Sequence, residues 1–305
     1  MLATLQKFTT LGLLALAALW GLGAWQAGRP AVGLFGALLI VAGYALVLAL
    51  EFVWLARANR DDPAPPPSKA QLLLAWWREA RSAPVVFCWR QPFRSRRWPD
   101  RLGAAEAAPN QRGVLLVHGF VCNRGLWNPW LERLTRQNVP YVAVNLEPVF
   151  GAIDRYVEVI EAGMARLEAA TGCAPIVVAH SMGGLALRRW WVEPGNDRRV
   201  HHAITIGTPH HGTWLARFGM TPNARQMRRN SRWIEALAER EPSGRSARFT
   251  CFYGHCDNIV FPASTATLPG ARNVHLEGTP HVHMADHPAP WDELTRLLGR
   301  AKQAA

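Results

Sequence analysis

The sequence lacks the cysteine pattern of a zinc site or of a disulfide framework. Its five cysteines are odd in number and show no CxxC spacing, the arrangement that paired metal ligands commonly use. We therefore expect no metal site and reduced thiols, as in a reducing compartment. Cys251 and Cys256 could pair in an exported protein, but small, reduced, buried thiols are the simpler interpretation.

Acidic residues are the minority charge. Asp and Glu number 22 against 34 Lys and Arg, which gives a formal net charge of +12 over 305 residues. An excess of this size is compatible with nucleic acid, with anionic lipid, or with a solvated basic surface. With 49% hydrophobic residues, the chain is long enough for one sizeable core and an appendage.

Charged residues are absent from two N-terminal runs, Phe8 to Trp25 and Ala31 to Leu50. Each run approaches the ~20 apolar residues that cross a hydrocarbon core as a helix. We predict a two-helix transmembrane hairpin over residues 1–58, with the loop at residues 26–30. A cleaved signal peptide, with a cleavage site near Ala24 or Ala27 and one anchor after it, is the alternative, although a second apolar run so soon argues against release.

Arginine placement predicts the orientation of that hairpin. The short loop holds only Arg29, whereas many arginines follow the second run: Arg57, Arg60, Arg78, Arg81, Arg90, Arg94, Arg96, Arg97 and Arg101. Because cytoplasmic segments carry the excess of positive charge, both ends of the hairpin are expected in the cytoplasm. The prediction is a multi-pass protein of the cell inner membrane, with the domain that follows the hairpin in the cytoplasm.

Residues 59–110 are predicted to be a linker and a basic juxtamembrane segment. The stretch DDPAPPPS at 61–68 indicates a semi-rigid spacer. Residues 71–80 predict a short amphipathic helix, and Val85 to Trp89 a first strand. The arginines of 90–101 alternate with aromatic residues, a pattern also seen in nucleic-acid binding. Behind a membrane hairpin we expect no nucleic acid; anionic lipid headgroups and an ordinary solvated edge remain equal alternatives.

The stretch Ile176 to Leu185, IVVAHSMGGL, is the strongest local signal. β-Branched residues run into a sharp turn at Ser181, and helix-forming residues follow, which predicts strand, turn and helix. A serine at such a turn is presented above the sheet, and small residues two before and two after it are required. Ala179 and Gly183 fill those positions. A serine that merely caps a helix is the alternative.

Strand and helix patterns alternate over residues 111–305, which predicts a mostly parallel sheet covered on both faces. The strand GVLLV at 113–117 ends in His118, Gly119 and Phe120. In acyl-transfer enzymes with a serine turn, the loop after this strand and the residue after the nucleophile donate backbone N–H groups to the oxyanion. Phe120 and Met182 are the predicted donors. His118 is expected to fix the loop by hydrogen bonding.

Further along the chain, Asp257 follows the predicted strand at 249–253, and His281 follows the last predicted strand at 273–276. We predict Asp257 as the acid that orients a histidine and His281 as the general base, with His283 as the runner-up. A metal site from His281, His283, Asp286 and His287 is a weak alternative. The histidines at 210 and 211 come too early and are predicted to be loop structure. Residues 214–240 hold either a lid or one more packing helix.

In this order, the motifs HGF, HSMGG, TPHHGT, YGHCDNIVFP and a terminal GxxH resemble the lipase and esterase branch of the α/β-hydrolase fold, as in bacterial triacylglycerol lipases. The resemblance covers residues 113–298. It implies ester hydrolysis by Ser181, Asp257 and His281 without metal or organic cofactor. The hairpin is not part of that family's usual pattern, and beside it we expect an ester or lipid substrate with apolar chains.

Two other functions remain compatible with these residues, because one fold carries several activities. The first is an acyltransferase that moves an acyl group onto a lipid or alcohol at the membrane. The second is a membrane-anchored scaffold that has the fold but performs no chemistry. The complete Ser, Asp, His order favours an enzyme.

Overall fold

The computed structural model describes residues 1–103 and 111–299. Residues 104–110, at the end of the predicted linker, and 300–305, at the end of the predicted hydrolase domain, lie outside the described residues. The division of the chain into hairpin, linker and hydrolase domain stays a prediction.

The centre of the fold is a six-stranded sheet in which every neighbouring pair is parallel. The strand order is β2-β1-β3-β4-β5-β6. The strands are β1 (Val114–Val117), β2 (Tyr141–Ala143), β3 (Ile176–His180), β4 (His202–Ile206), β5 (Phe249–Tyr253) and β6 (Arg272–His275). The predicted parallel sheet is confirmed, and all the chain segments that follow these strands emerge at one edge.

Helices cover both faces of the sheet, because alternate strand residues point in opposite directions. Leu115 and Val117 of β1 belong to one apolar cluster, and Val114 and Leu116 belong to the other. Twelve α-helices are found in the described part: α1 (Leu2–Gln26), α2 (Pro30–Ala42), α3 (Tyr44–Ala58), α4 (Lys69–Pro84), α5 (Gln91–Arg94), α6 (Asn128–Arg136), α7 (Val157–Thr171), α8 (Met182–Trp191), α9 (Pro222–Gln226), α10 (Arg232–Glu239), α11 (His281–Met284) and α12 (Pro288–Leu297). Helices α7 and α8 cover the first face, and α6 and α12 cover the second.

The prediction of a strand at Val85 to Trp89 is wrong. Helix α4, which contains the predicted helix at 71–80 and begins at a capping box of Ser68 and Gln71, passes directly into a π-helical turn at Val85–Arg90. In this turn Val86 is buried, while Val85 and Trp89, four residues apart, are exposed. A short apolar run is compatible with a helix and with a strand, and only the packing of its side chains decides between the two.

The two apolar runs form three helices rather than two. Among the described residues, α1 by itself is long and apolar enough to span a membrane. Helices α2 and α3 pass the same test only as a pair, and a bend of 53° at Gly43 separates them. The structure therefore supports one apolar N-terminal helix. The second span of the hairpin remains a proposal.

The loop at 210–211 places His210 in the core, and the insertion after it contains short helices. His210 is buried against Phe249 and hydrogen-bonded to Thr205. The insertion at 214–240 holds α9, α10 and a 3₁₀ turn, Trp214–Phe218. The rings of Trp214 and Phe218 lie 5.7 and 5.3 Å from that of Trp54, at the end of α3. The insertion therefore packs against the N-terminal helices.

Candidate active site

The turn between β3 and α8 holds Ser181 in a strained backbone conformation. Its φ is 55° and its ψ is −131°, a region that residues with a side chain rarely adopt. The turn is fixed because the Ser181 carbonyl accepts a hydrogen bond from Thr208 Oγ1 at 2.9 Å and the Ser181 N–H donates to Ile206 O at 2.8 Å. A Cβ at Gly183 would lie 2.6 Å from the carbonyl oxygen of Val117, which explains why the position needs glycine.

The loop after β1 closes directly over this serine. A Cβ at Gly119 would lie 2.7 Å from Cβ of Ser181, so glycine is required for the approach. His118 fixes the loop: its Nε2 accepts the N–H of Leu146 at 3.0 Å, and its Nδ1 donates to Gly119 O at 2.9 Å. Burial lowers the pKa of His118 to about 4, so the ring is neutral, as these two bonds require.

The two predicted oxyanion donors flank Ser181. Phe120 follows Gly119 in the loop, and it lines the same cavity as Ser181. Met182 is the first residue of α8, so its N–H has no partner within the helix. A helix N-terminus also carries partial positive charge. The role of these two backbone groups as oxyanion donors remains a prediction.

Asp257 and His281, which are 24 residues apart in the chain, form a buried pair. Asp257 Oδ2 accepts a hydrogen bond from His281 Nδ1 at 2.9 Å. The other carboxylate oxygen, Oδ1, accepts the N–H groups of Ile259 and Val260 at 3.0 and 2.8 Å. The acid is therefore held by its own loop, and it fixes the tautomer in which Nε2 of His281 is an acceptor.

Several groups set the pKa of His281. Burial lowers the pKa of the imidazole, but the charge of Asp257 and its hydrogen bond, together with the charges of Glu79 and Glu51, outweigh burial and raise the pKa of His281 above its usual value. Stabilising an imidazolium in this way is what an acid behind a general base does.

Gly207 lies beneath the pair and was not singled out by the sequence pattern. Its φ is +55°, and a Cβ there would lie 2.9 Å from Asp257 Oδ2 and 3.1 Å from His281 Nδ1. Any side chain would therefore displace the acid or the base.

His180 joins the serine turn to the histidine loop. Its Nε2 donates to the carbonyl of His281 at 3.1 Å, and the two rings lie 4.6 Å apart. Burial, together with the charge of His281, lowers the pKa of His180 to about 3. His180 directly precedes Ser181, and its neutral ring packs against His281. It therefore connects the serine turn to the loop of His281.

The runner-up base lies apart from this group. His283 Nδ1 lies 3.2 Å from Ser82 Oγ, outside the cavity that contains Ser181 and His281. The residues of the weak metal alternative have separate partners: Asp286 pairs with Arg90 at 2.9 Å, and His287 accepts the N–H of Ala289 at the start of α12. The structure does not bring these four side chains to a common centre.

A buried carboxylate that the sequence interpretation missed holds the turn after His281. Glu79 of α4 is 1% exposed, and its oxygens accept the N–H groups of Val282 and His283 at 2.8 and 3.2 Å. Burial raises the pKa of Glu79 to about 7, although these N–H groups and the charge of His281 oppose the rise. A signal was present: Glu79 lies one helical turn after Ala75 on the buried face of an amphipathic helix, where a charge is out of place.

The N-terminal helices hold the acid loop in the same manner. Asn258, next to Asp257, donates to Glu51 of α3 at 2.7 Å and accepts the N–H of His281 at 3.3 Å. Asn59 donates to the carbonyl of His255 at 3.0 Å and accepts the N–H of Ala263 at 3.1 Å. Helix α3 and the residue after it therefore help to position Asp257 and His281.

Ser181 and His281 open into one cavity of about 800 Å³. Its wall is mostly apolar and comes from both parts of the chain. From the hydrolase fold it receives the loop at 119–122 and residues Ile259 and Val282. From the N-terminal part it receives residues of α1, α2, α3 and α4. Its size is within the ~300–1,000 Å³ of small-molecule sites, so the arrangement can take an ester with a substantial apolar group.

Solved structures share this fold. Bacillus licheniformis lipase BlEst2 in its mature form is 16% identical, with a TM-score of 0.56, over 64% of this chain and 95% of that chain. Aspergillus fumigatus lipase B is 20% identical, with a TM-score of 0.55, over 65% of this chain and 55% of its own length. This chain thus spans about half of the fungal enzyme.

No protein-family model and no curated protein sequence matches the chain. At these identities the likeness establishes the fold and leaves the reaction to be argued from the site. The chain has the α/β-hydrolase fold, which it shares with these two solved lipases.

Proposed function

We propose that this protein is a membrane-associated serine hydrolase that cleaves carboxylic esters of lipid-like substrates. One observation carries the proposal: a serine on a strained strand-to-helix turn and His281, which is hydrogen-bonded to the buried Asp257, open into the same apolar cavity. The separate supports of Ser181, Asp257 and His281 favour an enzyme over a scaffold, because preorganised polar groups are what catalysis requires.

In the proposed mechanism, Ser181 Oγ attacks the ester carbonyl while Nε2 of His281 takes the hydroxyl proton. The N–H groups of Phe120 and Met182 stabilise the oxyanion of the tetrahedral intermediate. His281 then gives the proton to the leaving alcohol, and the acyl group stays on Ser181. Water, activated by His281, releases the carboxylic acid and restores the serine.

Membrane attachment by a two-helix hairpin is part of the proposal. Leu2 and Gln6 at the start of α1 are buried, and Gln6 Nε2 donates to Gln91 Oε1 at 2.8 Å. Gln6 Nε2 also lies 3.5 Å from the carbonyl oxygen of Val121 in the hydrolase domain, and Asn59 at the end of α3 is buried and donates to His255 of that domain. Both ends of the hairpin therefore lie beside the catalytic domain, which supports two crossings. The arginines after α3 favour the cytoplasmic side of the inner membrane.

The test uses the full chain purified in detergent, with p-nitrophenyl esters and a fluorophosphonate probe. Wild type is expected to hydrolyse the esters and to be labelled at Ser181, and Ser181→Ala to lose both. His281→Ala is expected to lose turnover, whereas the matched variant His283→Ala keeps most of it. Retention of full activity by Ser181→Ala would overturn the proposal. Ester formation with an added alcohol in preference to hydrolysis would reassign the protein as an acyltransferase.

A further inference from the structure

The N-terminal helices each turn one face toward the cavity that contains Ser181. On α1 the lining residues are Thr10, Leu13 and Leu14, and on α3 they are Tyr44, Val47, Leu48 and Glu51. These positions follow the spacing i, i+3, i+4 and i+7 of a single helical face. One face of α1 and one face of α3 therefore form part of the cavity wall.

Hydrogen bonds fix these helices relative to the catalytic residues. Helix α3 packs on α4, where the Tyr44 hydroxyl donates to Ala80 O at 2.6 Å and Trp76 Nε1 donates to Ala45 O at 2.8 Å. Helix α4 in turn holds the turn after His281 through Glu79. The wall made by α3 is thus connected to the predicted general base.

The bend at Gly43 opens the space between the helices. Helix α2 packs along α1, with Gly33 and Gly36 lying against Ala24 and Trp20. After the bend of 53°, α3 leaves this direction and packs on α4. Ile40 and Val41 before the bend and Tyr44 after it line the cavity, so the cavity lies where the helices diverge.

The opposite faces of the same helices are apolar and exposed. Leu19 on α1 is 68% exposed and Leu46 on α3 is 65% exposed. In a bilayer such faces would contact lipid chains, since hydrocarbon is their favourable surrounding. The cavity thus has lipid-facing helices as its outer wall and Ser181 at its inner end.

Polar groups are concentrated at that inner end. Glu79, Glu51 and Asn258 line the cavity together with His281 and Ser181, whereas the parts formed by α1 and α2 are apolar apart from Thr10. A ligand that fits has one polar group at the serine and a long apolar tail directed between the helices.

We propose that α1 and α3 form the acyl-chain site of this enzyme, so that the substrate's fatty chain enters from the hydrocarbon layer and these helices set the preferred chain length. The inference rests on the proposed ester hydrolysis. Each methylene buried along the site is expected to raise kcat/KM by up to about fourfold. Chains that extend beyond it gain nothing more.

The test compares matched tryptophan variants over p-nitrophenyl esters from acetate to palmitate, with the full chain in detergent. Leu48→Trp fills the site, and Leu46→Trp, on the opposite face of α3, is its control. Leu14→Trp and Leu19→Trp form the second pair, on α1. The inward variants are expected to lower the ratio of palmitate to acetate turnover by about tenfold or more, whereas the outward variants Leu46→Trp and Leu19→Trp keep the wild-type ratio and the fluorophosphonate labelling. Leu48→Ala is expected to shift the optimum to longer chains.

A photoreactive probe locates the tail directly. The probe is a long-chain alkyl fluorophosphonate with a diazirine at its end, applied to the protein in phosphatidylcholine vesicles. After labelling of Ser181, irradiation is expected to crosslink peptides that contain residues 10–14 or 40–48. Crosslinks confined to residues 214–226, or equal profiles for inward and outward variants of both pairs, would overturn the inference while leaving ester hydrolysis intact. If the wild-type protein showed neither labelling nor acetate turnover, the proposed function itself would be refuted.

Discussion

Replacing Glu79 by glutamine is expected to stabilise the fold increasingly as the pH rises. The folded-state pKa of Glu79 is about 7, against 4.5 for the ordinary carboxyl. Between these values the folded protein binds one more proton than the unfolded chain, so the contribution of Glu79 to stability is complete below about pH 4.5 and is lost as the pH rises through about 7. One pKa unit corresponds to about 1.4 kcal/mol. The rise of the Glu79 pKa from 4.5 to about 7 therefore lowers the free energy of unfolding by about 3 kcal/mol at pH 8.

Glutamine does not ionise, so the Glu79→Gln variant lacks this loss. Its amide offers one acceptor oxygen to the two N–H groups of Val282 and His283, which removes about 1 kcal/mol at every pH. The turn after His281 is then held less firmly, and kcat is expected to fall while KM changes little. The variant should therefore gain stability above neutral pH and lose turnover.

The assay is thermal unfolding of wild type and variant in the same detergent from about pH 5 to about pH 8, the window in which the linkage acts. The difference in Tm is expected to move in favour of the variant by several degrees, at ~2–4 °C per kcal/mol. Glu132→Gln is the control, because its exposed pair with Arg136 is worth only ~0.3–0.5 kcal/mol. A Tm difference that is independent of pH would refute the reasoning.

Three further predictions concern the site and its attachment. Asp257→Asn is expected to lower kcat about 10⁴-fold and to move the acidic limb of the remaining pH–rate profile to lower pH, because the charge that raises the pKa of His281 is lost; an unchanged limb contradicts this. Gly207→Ala is expected to abolish turnover in a folded protein, checked by Tm and by ester hydrolysis, because its Cβ would collide with the Asp257–His281 pair. Gly28→Cys is expected to react with a membrane-impermeant thiol reagent added on one side of the membrane, and Arg248→Cys with the same reagent added on the other side. Labelling of both variants from the same side would rule out the hairpin.

The candidate catalytic motifs could be identified in the sequence because they are local. The turn at Ser181 needs small residues at fixed distances, and the strand that ends in HGF is contained in the eight residues 113–120. The expected chain order of Ser181, Asp257 and His281 is what the resemblance to lipases and esterases implies, and the shared edge at the carboxyl ends of parallel strands allows the three residues to meet. The hydrogen bond between Asp257 and His281 agrees with that expectation, and their catalytic roles remain to be tested.

Other parts of the structure could not be read from the pattern. The run Val85 to Trp89 has the composition of a strand, yet packing of Val86 against the sheet cluster and continuity with α4 make it helical. The second apolar run seemed one span, but a break at Gly43 divides it. In both places a short apolar run is compatible with two structures, and tertiary contacts select one.

The sequence by itself determined the fold class and the candidate nucleophile, acid and base, since these depend on periodicity, on turn chemistry and on chain order. The tertiary structure decided what surrounds them. Glu79 meets the turn after His281 across about two hundred residues of chain, and α1 and α3 form the far wall of the cavity of Ser181. Such contacts arise when distant apolar surfaces are buried together, and no local spacing of residues records which surfaces will meet.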